Sequence, residues 1–320
     1  MEVLPKVRAM YLAHPFPQWT KEERKRRFAL ELCRYRFLGL EEAMNGARFL
    51  DVGCGTGNRS MLAAKNLGVS EFVGLDGSDA SLETAARVAK EEEFDKFTPV
   101  KGNLLQMPFP DNSFDVVVSW GVLHHTDDPL RGFSEIVRVC RPGGYVGIFL
   151  YNVYGHWRHN MQKDRVSRLA GEDFEKRFEV AHRLYGTKPV DKMTPEEMAV
   201  FYDQYCHPHK SDHTFGETLS WFDNFGLTPV GSYPPLELRD ALACAKYRAE
   251  LLDDYPLRRK WAAKLLTATK MLPVDDKFGG PNRPSLFERF FWQAFYAFLG
   301  RNGSYSHGAA LSARKPIASS

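Results

Sequence analysis

Residues 49–58 read Phe49-Leu50-Asp51-Val52-Gly53-Cys54-Gly55-Thr56-Gly57-Asn58, an apolar strand running into a loop with glycine at every second position. Glycine is the residue that turns a chain through positive φ and lets a ligand approach the backbone with no Cβ in the way. A helix is predicted after the loop, over about 58–67, and its first amides would face that ligand. Glu71-Phe72-Val73-Gly74-Leu75-Asp76 reads as the next strand and ends in an acid. A carboxylate there is placed to accept both hydroxyls of a ribose. The GxGxG spacing differs from the dinucleotide fingerprint GxGxxG, and no Gly-Lys-Ser/Thr follows, which excludes a triphosphate cradle.

Outward from the loop, residues 47–152 alternate short strands with helices. A helix at 79–92 has Asp79 and Ser81 available as caps, and 98–103 (TPVKGN) is a short strand. Phe114–Trp120 (FDVVVSW) carries the apolar run, Val116 to Val118, expected of a strand covered on both faces. A helix over 129–140 stops at Arg141-Pro142-Gly143-Gly144, and 144–152 forms a fifth strand. This alternation predicts a parallel sheet with right-handed crossovers. Upstream, Thr20 caps a helix over 20–45 whose first residues, 21–27 (KEERKRR), read as a solvated charged face. Residues 153–213 are polar, aromatic and mostly helical by pattern, with Thr194-Pro195-Glu196-Glu197 as a helix start. Thr214 opens a helix that buries Leu219, Trp221, Phe222 and Phe225 and stops at Gly226; 227–233 is a strand. Three helices are expected over 236–299, the last capped by Ser285 and stopped by Gly300, and 308–316 is a closing strand.

The 43 basic and 40 acidic residues among 320 give a net charge of +3, too little for an electrostatic footprint on nucleic acid. Cys33, Cys54, Cys140, Cys206 and Cys244 never form a CxxC pair, so neither a disulfide scaffold nor a cysteine zinc site is expected, and a reducing, cytoplasmic setting is. The N-terminal stretch is broken by Pro5, Pro15 and Pro17 and does not read as a signal peptide. No run reaches 18 apolar residues, so no membrane span is expected.

DVGCGTGN (51–58), GLDGS (74–78), the stretch 105–129 (LQMPFPDNSFDVVVSWGVLHHTDDP) and RVCRPGGYVGI (138–148) resemble the successive motifs of the class I S-adenosylmethionine (SAM)-dependent methyltransferases, in particular the small-molecule group called type 11. The resemblance implies a Rossmann-like, doubly wound seven-stranded α/β sheet with its last strand antiparallel and helical insertions forming a lid. The corresponding divisions are a helical segment at 1–46, the SAM-binding core at 47–152, a helical lid at 153–213, a core helix and strand at 214–233, a helical insertion at 234–305 and the closing strand and tail at 306–320. It implies SAM as cofactor, with S-adenosylhomocysteine as product. Asp51, Gly53 and Gly55 would face the methionine part, with Gly57 completing the loop. Asp76 would hold the ribose, Gly77 would lie beside the adenine, Asn103 and Leu104 would meet the adenine edge, and Trp120 would form the floor. The family usually has Asp where this chain has Asn103, and an amide both accepts and donates there.

Methyl transfer needs positioning and a dry pocket, and a base only when the acceptor loses a proton. His124, beside His125, and His207 are the candidate bases. The segment 202–214 is dense in polar and aromatic groups, and Tyr151, Tyr154, Tyr202, Tyr205, His207 and His209 are candidate substrate contacts. His207, His209 and His213 with Asp203 or Asp212 have ligand chemistry, but Pro208 and the irregular spacing suggest no helical i, i+4 pair, and no metal is assigned. The aromatic helix 286–299 reads as a buried plug, with a pocket wall or a peripheral membrane contact as alternatives. The expected function is methylation of a small, apolar or aromatic acceptor. An RNA or protein methyltransferase, or a SAM-binding regulatory subunit, is the alternative. Acceptor identity and oligomeric state stay open.

Overall fold

Side-chain alternation along the strands splits the core into two layers. In β1 (Arg48–Val52), Leu50 and Val52 pack with Phe133, Ile136 and Phe222 on one face of the sheet, while Phe49 packs with Tyr35, Phe72 and Val118 on the other. Apolar cover on both faces is what a parallel sheet requires. The computed structural model describes residues 15–207, 209–236, 244, 284–299 and 308–317. The remaining strands are β2 (Glu71–Asp76), β3 (Phe97–Lys101), β4 (Phe114–Trp120), β5 (Cys140–Tyr151), β6 (Thr228–Tyr233) and β7 (Gly308–Arg314). Their order is β3-β2-β1-β4-β5-β7-β6. β7 runs antiparallel to both of its neighbours, as the sequence led one to expect of the last strand. Ser312 on β7 is fully buried and donates to the Leu38 carbonyl at 2.6 Å, joining the end of the sheet to residues near its beginning.

The helices are α1 (Lys21–Phe37), α2 (Met61–Asn66), α3 (Asp79–Glu91), α4 (Pro129–Val139), α5 (Val153–Ala170), α6 (Phe174–Tyr185), α7 (Pro195–Phe201), α8 (Phe215–Asn224) and α9 (Leu286–Leu299). α1 has the full capping box of Thr20 with Glu23 but ends at Phe37, short of 45, where Gly39 turns the chain at φ 63°. α2 starts at Met61, later than 58, because Asn58 is held in the loop by its side-chain amide, which donates to the Pro17 carbonyl. Ser78, and neither Asp79 nor Ser81, caps α3. β5 begins at Cys140 and runs through the Pro-Gly-Gly stretch, with an irregularity against β4.

The charged start of α1 is not simply a solvated face. Arg24 is 2% exposed and bridges Glu92 at 2.8 Å and Glu91 at 2.6 Å, so it ties α1 to the end of α3. Residues 153–206 have an apolar cluster of their own, with Val166, Phe178, Tyr202 and Cys206 inside it. α9 departs from the expected plug. Leu286, Phe287 and Phe290 are more than 70% exposed, and Trp292 alone is buried among its large side chains that the structure describes. Phe295, Tyr296, Phe298, Gly300 and the expected helices between 245 and 283 lie outside the described side chains. Among the described residues, no helix is long and apolar enough to cross a membrane.

Candidate functional site

The carboxyl ends of β1 to β5 open on one cavity of about 740 Å³. Asp51, Gly53, Gly55, Asp76, Gly77, Asn103, Leu104, Trp120 and Tyr151 all line it. Two glycines of the loop cannot be replaced without movement. Gly53 has φ 76° and a Cβ there would lie 2.5 Å from Val122 Cγ2; Gly55 has φ 53° and its Cβ would lie 2.5 Å from the Phe16 carbonyl oxygen. Gly57 instead turns under the loop toward Met61 and Ala85, away from the cavity.

Asp76 is held by backbone. Gly55 N–H donates to Oδ2 at 2.9 Å and Ser78 N–H to Oδ1 at 2.9 Å. Burial pushes its pKa upward, and the amides oppose that shift by favouring the ionised form. Asp51 is more deeply set, at 2% exposure. Its Oδ2 accepts from Ser60 Oγ at 2.5 Å, while Oδ1 has no hydrogen-bond partner among the described residues. Burial raises the group to about 7. An orphaned carboxylate oxygen on a cavity wall fits an ammonium.

Arg59, immediately after the loop, also lines the cavity. Its guanidinium lies over the Phe16 ring at 5.8 Å and makes no ion pair with a described carboxylate. Burial, with Arg34 nearby, holds its pKa below the usual value. The arrangement fits an incoming anion. Along α1, Arg27, Glu31 and Arg34 recur at helical spacing and line the cavity too. Arg34 bonds Glu31 at 2.5 Å and lies over the Trp120 ring at 5.4 Å. Trp120 donates from Nε1 to the Tyr35 hydroxyl at 3.3 Å, which fixes the floor. Asn103 Oδ1 accepts from Leu105 N–H at 2.9 Å and so shapes its own turn.

The residues expected from the sequence at the acceptor end divide sharply. Tyr151 lines the cavity, and burial pushes its hydroxyl far above the ordinary phenol range. His124 is fully buried behind the wall; neither ring nitrogen has a hydrogen-bond partner among the described residues, and burial drives it well below the usual imidazole value. His125 takes the wall position. His207 is also fully buried, its ring on His125 with centroids 3.8 Å apart. Tyr202 and Tyr205 face the helical cluster, where their hydroxyls meet Glu175 at 3.3 Å and Gln162 at 3.1 Å. Tyr154 is 40% exposed, and His209 acts through its backbone. Asp203, Lys210, His156 and His159 line the cavity instead. Tyr202–Cys206 continues α7 as a π-helical turn that carries Asp203, and His207 follows directly at its C-cap with non-helical backbone, so the two residues stand four apart without forming a helical i, i+4 pair. Such turns gather at functional sites.

Residues 50–148 match the family model described as a methyltransferase domain. The chain is 35% identical over 136 residues to a sterol 24-C-methyltransferase of Aspergillus fumigatus, covering 42% of this chain and 35% of the relative. It is 35% identical over 112 residues to a demethylmenaquinone methyltransferase of Listeria welshimeri, covering 35% and 48%. An uncharacterized Synechococcus protein is 25% identical over 245 residues, 70% of this chain and 59% of the relative. The matches thus span between about a third and three-fifths of these relatives. A solved structure from Galdieria sulphuraria, described as a candidate sarcosine dimethylglycine methyltransferase, has the same fold: TM-score 0.51, 14% identity, 98% of each chain covered. With its strand order, glycine loop and Asp76, the stretch 50–148 is therefore a class I methyltransferase domain of the type 11 group.

Proposed function

We propose that this chain transfers a methyl group from SAM to a small-molecule acceptor. The observation that carries the reading is the convergence of Asp76, the orphaned Asp51 Oδ1 and Arg59 on one cavity. Asp76 accepts the ribose hydroxyls. Asp51 faces the methionine ammonium and Arg59 its carboxylate. Gly77, Asn103 and Leu104 hold the adenine end. SAM supplies an already activated methyl, so the protein's work is position and exclusion of water.

The cavity is near the upper part of the range of about 300–1,000 Å³ for small-molecule sites, which favours room for an acceptor beside the cofactor. Trp120, Phe149 and Tyr151 form its aromatic walls there, roofed by the helical segment at 153–206, which we assign as a lid. His125 and Asp203 are the wall groups able to hold or deprotonate an acceptor. They replace His124 and His207 in that role. Relatives named for a sterol and for demethylmenaquinone support an acceptor with an apolar ring system.

The test uses SAM labelled on its methyl group, incubated with the protein and extract split into lipid, polar small-molecule, protein and RNA fractions. Label in the lipid or small-molecule fraction, absent with Asp76→Ala, is expected. Label in RNA or protein would replace the acceptor class. SAM binding without transfer to any fraction would favour a regulatory subunit.

A further inference from the structure

Two separate elements bring three ligand-type side chains to one point at the acceptor end. The turn Leu123–His125 after β4 supplies His125, the π-helical turn Tyr202–Cys206 supplies Asp203, and His207 is the non-helical residue that ends that turn. One ring nitrogen of each histidine and one carboxylate oxygen of Asp203 lie within 4.8 Å of one another. His125 and Asp203 line the cavity, with His207 buried behind them.

Backbone from His209 fixes both rings. Its carbonyl lies 3.0 Å from His125 Nδ1, and its amide donates to His207 Nδ1 at 3.2 Å. The first contact keeps the His125 proton on Nδ1 and leaves Nε2 as a lone pair, the arrangement usual for a metal-bound imidazole. The second contact is long. A cation on that ring competes with it: ligation at Nδ1 replaces the amide, and ligation at Nε2 moves the ring proton to Nδ1. Lys163 and Lys210 lie close enough to oppose a proton on His125, and they oppose a dication as well. Asp203 is the charge that offsets them.

We propose that His125, Asp203 and His207 form a divalent-cation site whose open position faces the acceptor. Two imidazoles and one carboxylate suit zinc or a similar borderline ion. Bonds of about 2.0–2.2 Å require the three ligand atoms to close by roughly an ångström. The inference rests on the methyltransferase reading and narrows it to oxygen acceptors. The cation takes the acceptor hydroxyl and lowers its pKa, and the proton leaves to solvent. The oxygen then forms its bond to the methyl carbon as the carbon–sulfur bond breaks, and that electron pair stays on sulfur, turning sulfonium into thioether.

The experiment titrates chelator-stripped protein with Zn²⁺ alone and, separately, with Co²⁺ followed by visible absorption. One equivalent per chain is expected, with cobalt bands of a four- or five-coordinate site. Asp203→Asn and His207→Ala should each weaken binding at least tenfold, and near-UV circular dichroism identifies the variants that remain folded. Asp203→Asn, nearly isosteric, keeps the test decisive if removing the buried His207 ring unfolds the chain. Absence of a stoichiometric ion, or binding that folded Asp203→Asn leaves unchanged, overturns the proposal. SAM affinity of the unaltered chain is measured in parallel. If SAM fails to bind, the methyltransferase reading falls, whatever the metal titration gives.

Discussion

Gly55 N–H donates to Asp76 Oδ2 at 2.9 Å, so the glycine loop after β1 is fastened to the end of β2 by the carboxylate assigned to the ribose. Loop shape and ligand contact therefore share one side chain. Asp76→Ala is expected to weaken SAM binding by about 1.5–3 kcal/mol, the worth of hydrogen bonds to a charged acceptor. Calorimetry with SAM measures it, and unchanged affinity would remove Asp76 from the ribose site.

Arg59→Met should weaken SAM binding about tenfold or more while leaving the melting temperature nearly unchanged. No described carboxylate loses an ion-pair partner in that variant. A large drop in melting temperature with unaltered affinity would make Arg59 a structural residue.

SAM affinity should depend on pH through Asp51. In the free protein burial raises Asp51 to about 7, so the group is largely protonated below that pH. An ammonium favours the carboxylate, and binding must then release a proton. Affinity should rise up to tenfold per pH unit as pH climbs toward 7 and level off above it. Asp51→Asn should flatten the curve. For stability alone the sign is opposite. The folded value lies above the unfolded one, so this group's contribution is full below about 3.9 and is lost as pH rises through about 7. Calorimetry in buffers of different ionisation enthalpy reads the released proton.

Arg24→Ala should cost about 3–5 kcal/mol of folding stability, because it strands the buried Glu92. Glu91→Ala should cost less than about 1 kcal/mol, since that partner is 43% exposed. Chemical denaturation of the two variants separates the cases, and equal effects would refute the buried-network assignment.

Gly55→Ala should destabilise the chain by at least about 1–2 kcal/mol, the cost of a left-handed residue with a Cβ. Its Cβ would also press the Phe16 carbonyl, so residues 15–17 should gain proteolytic sensitivity. Wild-type stability and cleavage would show that the loop relaxes freely.

The sheet and the cavity lining at the ends of β1 and β2 were legible because both are written locally. The apolar run of β4, the glycine loop and the acid ending β2 each sit within a few residues. The acceptor end was not, because it is assembled across distance. Asp203 and Arg59 face one cavity from 144 residues apart, and nothing near Asp203 marks it over Tyr202 or Tyr205. Which of two adjacent histidines reaches the wall is set by a short 3₁₀ turn, which patterning does not foresee. Arg24 and Arg27 looked solvated because a charged helix face shows its sequence and not its neighbour. The spacing of Arg27, Glu31 and Arg34 was the one available signal.

β7 enters the sheet between two strands that precede it in the chain. A ribosome must therefore deliver both flanking strands before the one that fills the gap, leaving β5 and β6 with open backbone edges in the meantime. Order of synthesis and order of assembly are opposed here. A chain cut anywhere ahead of residue 308 would lose the seam itself, along with the Ser312 bond across it, and should be cleared by quality control as a folding failure.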